Sequence, residues 1–64
     1  MYEKLKSILE ARGITKYRLA KMSNISTQDI YSLLNGKKIL YPNWKKRISE
    51  ALDVPEEELF EEGR

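Results

Sequence analysis

The chain contains no cysteine and no histidine. Without cysteine there is no disulfide and no thiolate metal site, and a cytoplasmic setting becomes the simpler expectation. Without histidine, imidazole acid–base catalysis and most zinc or iron sites are excluded as well. Glycine and proline are scarce, at three and two residues, so they punctuate helices and do not break them up. No stretch alternates apolar and polar residues as a half-buried strand does, and no internal repeat is present. No apolar run approaches the roughly 20 residues that span a bilayer, and the N-terminal residues lack an apolar leader core, so no membrane association is expected.

What remains is a chain of 64 residues, 41% of them apolar. That composition suits one globular domain over residues 1–64, near the lower size limit for a core without staples. The net charge is only +2, but it is unevenly placed: residues 1–47 hold eleven Lys/Arg against three Asp/Glu, and residues 48–64 hold one against seven. A basic body with an acidic end suits a polyanionic partner met by the body; a solvated mixed surface is the alternative that charge alone leaves open.

The apolar spacing predicts five helices. Leu5, Ile8 and Leu9 form a stripe on a first helix over Tyr2–Arg12, which Gly13 ends. Thr15 reads as the N-cap of a short second helix, Lys16–Ser23, that turns Leu19 and Ala20 inward. Asn24 tolerates a left-handed backbone and Ile25 fills the corner of a tight turn. Ser26 and Asp29 fit a capping box for a third helix over Thr27–Asn35, closed by Gly36. Ile30, Leu33 and Leu34 face inward there, while Thr27, Gln28, Tyr31, Ser32 and Asn35 share the opposite side. A loop over Lys37–Asn43 contains Pro42. The fourth helix, Asn43–Leu52, buries Trp44, Ile48, Ala51 and Leu52. Pro55 opens a last short helix to Glu61, anchored by Leu59 and Phe60, with Glu56, Glu57 and Glu58 at its positive end.

The segment from Ile14 to Gly36 therefore describes two short helices joined by Ser23-Asn24-Ile25-Ser26, with Ala20 small enough for close approach. Such a second helix fits the major groove with its first residues at the base edges. The sequence resembles the Cro and lambda-repressor type of helix-turn-helix proteins, the XRE-like transcriptional regulators. The resemblance rests on Ile14-Thr15, Leu19-Ala20, Ile25-Ser26, Ile30, Asn35-Gly36 and Ile48…Ala51-Leu52-Asp53-Val54 before Leu59, in order and over nearly the whole chain. It implies an all-α, five-helix fold and a DNA-binding regulator of phage or mobile-element type, with a repressor's role. It also implies Thr27 and Gln28, then Tyr31 or Ser32, as base readers. Thr15 and Lys16 at the second helix's start, and Asn35, match phosphate-contacting positions. A helix N-terminus presents free N–H groups to phosphate, which supports the first two independently. Lys37 and Lys38 would add phosphate charge.

Each role has a plainer counterpart. Gln28 suits adenine through its bidentate amide, or is a solvated glutamine. Thr27 could only extend the cap, Tyr31 could lie flat on its own helix, and Lys37 and Lys38 could be solubilising. Trp44 is expected in the core, not as a stacking platform. The chain also departs from the resemblance. Leu9 and Leu34 stand where many members carry an arginine–glutamate pair, Asn24 replaces the usual turn glycine, and the loop before the fourth helix is one residue longer than in some phage repressors.

The expected partner is double-stranded DNA with a palindromic operator, bound by a weak homodimer. Family dimers often meet at the last helix and the turn before it, here Val54, Pro55, Leu59 and Phe60; Ile39-Leu40-Tyr41 is the fallback surface. The 64 residues leave no room for a ligand domain, so control would come from concentration, a competing protein or a regulatory protein partner. A protein-interaction module on the same fold is the rival reading, and the basic body argues against it. No cofactor, metal site or catalytic residue is expected, and no nucleophile–base pair supports an enzyme.

Overall fold

The computed structural model of the protein describes residues 2–60. Among the described residues it is all-helical: α1 (Glu3–Arg12), α2 (Lys16–Ser23), α3 (Thr27–Leu34), α4 (Pro42–Leu52) and α5 (Glu56–Leu59). None is long and apolar enough to cross a membrane.

The helices stop for one shared reason. After each of the first four, a residue takes the left-handed conformation: Gly13, Asn24, Gly36 and Asp53, with φ of 68°, 60°, 78° and 59°. The next N–H then donates back five residues. Ile14 donates to Leu9, Ile25 to Ala20, Lys37 to Ser32 and Val54 to Ser49. This Schellman ending satisfies carbonyls that the helix leaves unpaired. At Asn24 and Asp53 the left-handed backbone carries a side chain, which Asn and Asp tolerate better than most residues. The residue after the reversal then enters the core at three of the four corners, where Ile25 and Val54 are buried and Ile14 packs on the core's edge. The fourth is Lys37, which is exposed, so the chain leaves α3 towards solvent.

The starts are capped by side chains where the sequence predicts it. Thr15 Oγ1 accepts from the Arg18 N–H at 3.1 Å, and Ser26 Oγ accepts from the Asp29 N–H at 3.1 Å. The capping box at Ser26 is only half formed, because the Asp29 carboxylate pairs with Lys38. The fourth helix begins at Pro42, not at Asn43. Proline suits a first helical position because its missing N–H would be unpaired there, and it keeps Tyr41 extended before it. Three other helices shift at their bounds. The first helix begins at Glu3; the third ends at Leu34, with Asn35 just outside it; the last starts after Pro55 and ends at Leu59. The expected end at Glu61 lies outside the described residues.

The core gathers Leu5, Leu9, Leu19, Ala20, Ile25, Ile30, Leu33, Leu34, Ile48, Leu52, Val54, Leu59 and Phe60. Helix α2 packs on both α3 and α4, and α5 closes the far side against α1 and α4. Trp44 and Ala51 are half-buried, not buried, and Trp44 meets Tyr41 edge to face at 4.9 Å. Three hydrogen bonds brace this small core from outside. Arg12 Nη1 donates to the Leu52 carbonyl at 2.7 Å, tying the ends of α1 and α4. Ser49 Oγ donates to the Val54 carbonyl at 2.7 Å. Arg47 Nη1 donates to the Asn24 carbonyl at 3.3 Å, fastening α4 to the turn between α2 and α3.

Candidate nucleic-acid interface

The α2–turn–α3 unit is rigid for local reasons. Ser23 is buried, and its hydroxyl donates to the Leu19 carbonyl at 2.7 Å, so the polar group at the corner is satisfied inside α2. Ile25 fills the corner and is 6% exposed. With Arg47 holding the Asn24 carbonyl, the angle between α2 and α3 is fixed from both sides.

That unit leaves the outer side of α3 without structural duty. Thr27 and Ser32 are half-exposed and Gln28 is exposed. Among the described residues, none of their side-chain polar groups has a hydrogen-bond partner. Tyr31 is also exposed, but its ring is engaged: Lys16 Nζ sits 5.2 Å from the ring centroid. The Tyr31 ring therefore meets the first residue of α2. This contact joins one residue predicted for phosphate with one predicted for bases.

Thr15 and Lys16 open α2, whose first turn has no acidic residue. The Thr15 oxygen is used as an acceptor by the Arg18 N–H, which leaves its O–H free to donate outward. The N–H groups of the first helical turn have no partner within the helix, so hydroxyl, amides and the Lys16 ammonium can converge on one anion. Asn35 and Lys37 are exposed at the other end of α3, with side chains uncommitted among the described residues. Lys38 differs from its neighbour. Its ammonium lies 3.1 Å from Asp29 Oδ1, so it is already paired with the acid of α3.

The four dimer candidates do not form an apolar surface. Val54, Leu59 and Phe60 are buried within the chain, and only Pro55 is exposed. A domain this small needs all three for its own core: Phe60 meets Tyr2 edge to face at 6.3 Å, and Leu59 is fully covered. The exposed apolar side chains lie elsewhere. Ile39 and Tyr41 in the loop after α3 are 68% and 44% exposed, with Leu40 half-buried between them. Arg47, Asp29 as a partner of Lys38, and the Lys16–Tyr31 stack are the features that residue patterns alone did not reveal. The one available signal was that Asp29 is the sole acid between residues 11 and 49.

An all-α domain whose third helix is held by a second, with a polar outer face and cations at its margins, defines the helix-turn-helix class of DNA-binding domains. The chain belongs to the Cro/C1-type HTH DNA-binding domain family, whose model matches residues 4–61. Neither a curated protein nor a solved structure gives a match.

Proposed function

We propose that this protein is a sequence-specific repressor of phage or mobile-element type, acting as a single domain in the cytoplasm and placing α3 in the major groove of a palindromic operator. The observation that carries this reading is the outer face of α3, where Thr27, Gln28 and Ser32 hold uncommitted polar groups. In the groove, these and Tyr31 select bases. Thr15, Lys16, Asn35 and Lys37 grip phosphates on either side and supply most of the affinity. Lys38 adds its charge to the extent that Asp29 releases it.

Two copies bind, their α3 helices about 34 Å apart on successive major-groove faces. The homodimer is weak, and Ile39 and Tyr41 offer a better contact than the α5 side, whose apolar residues are internal. Selection from random duplex oligonucleotides with the purified protein tests this reading. The expected product is a palindrome with half-site centres about one helical turn apart; recovery of no preferred sequence would overturn it.

The phosphate role of Lys16 makes a separate prediction. Lys16→Ala is expected to weaken binding to all duplexes alike and to flatten the salt dependence by roughly one unit. Titrations at several salt concentrations measure this. Loss confined to the preferred site would instead place Lys16, through Tyr31, among the residues that read bases.

A further inference from the structure

We propose that Asp29 sets how tightly the protein holds DNA of any sequence, by keeping Lys38 in a neutral pair beside the outer face of α3. The proposal rests on the DNA-binding reading and deepens it.

Residues 11–49 contain nine Lys/Arg and a single acid, Asp29. That acid stands in the first turn of α3, directly after Gln28. A bare carboxylate there would face phosphates and oppose binding. It is not bare. The reversal at Gly36 and the Lys37 N–H bond to the Ser32 carbonyl turn the chain, and Lys38 reaches back nine residues to place Nζ 3.1 Å from Asp29 Oδ1. Ser32 lies three residues from Asp29, so the two are neighbours on the helix surface. The ion pair therefore sits next to the residues proposed to read bases.

A lysine that meets phosphate releases counterions, and each neutralised phosphate adds about 0.9 to the salt slope. An ammonium already carrying a carboxylate brings almost no net charge to that exchange. Lys37 is uncommitted and Lys38 is held, although they are adjacent and both exposed. Asp29 is thus a positioning residue: it withholds one cation from the DNA backbone. The consequence is weaker sequence-independent binding, which leaves a larger share of the affinity to base contacts.

The experiment is a titration series of the full chain on a duplex of unrelated sequence. Asp29→Asn keeps side-chain size and the backbone N–H bond to Ser26. It is expected to raise affinity about tenfold near 0.1 M salt and to steepen the slope by about one unit. Asp29→Ser serves as a second variant suited to a first helical turn. In the natural chain, Lys38→Ala should lower the slope by clearly less than Lys37→Ala does. In the Asp29→Asn background, Lys38→Ala should lower it by a full unit. Thermal melts establish that each variant is folded.

Equal effects of Lys38→Ala in both backgrounds would overturn the proposal, because Asp29 would then repel phosphate without holding the lysine. A fall in affinity on Asp29→Asn would also overturn it and make Asp29 a contact to bases. Both outcomes leave the DNA-binding reading intact. If the natural chain binds no duplex even at 50 mM salt, that reading fails, and the proposal with it.

Discussion

Leu34→Glu and Leu9→Arg are each expected to unfold most of the protein at room temperature, whereas the double variant should recover part of the lost stability. Both leucines are buried, at 3% and 5% exposure. They line one groove between α1 and α3, with Ile14 and Tyr31 beside them and Lys6, Glu10 and Lys16 at its rim. The floor is apolar, so a single charge placed there loses its hydration without a matched partner. Removing one member of a buried pair costs about 3–5 kcal/mol, and a lone buried charge stands in that situation. A domain of this size holds only roughly 0.05–0.15 kcal/mol per residue, so the loss takes most of its stability.

The double change restores opposite charges on the two helices. Their attraction then offsets part of the desolvation, but an apolar pair has none to offset and gains roughly 25 cal/mol for each Å² removed from water. The natural pair should therefore stay the most stable of the four. Thermal melts over the cycle give the coupling directly, and Leu34→Ala alone should cost about 2–5 kcal/mol. Additive effects of the two charged substitutions would show that positions 9 and 34 do not face each other.

Why some of this was readable from residues and some was not comes down to the range of each interaction. The bounds of α2 match expectation because Thr15, Asn24 and the inward Leu19 and Ala20 all act within a few residues. The start of α3 is equally local, set by the Ser26 hydroxyl. Pro42 is a missed local signal: the rule that makes proline a helix starter applies there, one residue before the expected start at Asn43. The bonds from Arg12 to Leu52 and from Arg47 to Asn24 join residues 40 and 23 positions apart. Nothing in a helical period announces such pairs.

The burial of three of the four dimer candidates was hidden for a different reason. Val54, Leu59 and Phe60 are apolar whether they serve a core or a partner, and sequence does not separate the two uses. Size does: a chain with so few large side chains cannot spare them. The same ambiguity does not touch α3, because a polar residue opposite a buried stripe has no internal role to compete for it.

That contrast gives the outer face of α3 its sharpest test at Gln28. Gln28→Ala is expected to cost about 1–3 kcal/mol on the best operator and to relax the preference at one base pair in each half-site. The carboxamide carries a donor and an acceptor side by side, the pattern that matches adenine N6 and N7 in the major groove. It is exposed on the first turn of α3, the part of such a helix that reaches base edges. It has no hydrogen-bond partner among the described residues, so no internal bond must break before it meets a base. Its removal should leave folding almost untouched, since surface changes away from caps and core stay within about 0.5 kcal/mol. Binding to unrelated DNA and the salt slope should also be unchanged, because an uncharged side chain releases no counterions. The measurement is a titration of natural and variant protein on the preferred site and on its single-base variants. A variant that melts normally and keeps both affinity and preference would show that bases are read by another part of the surface.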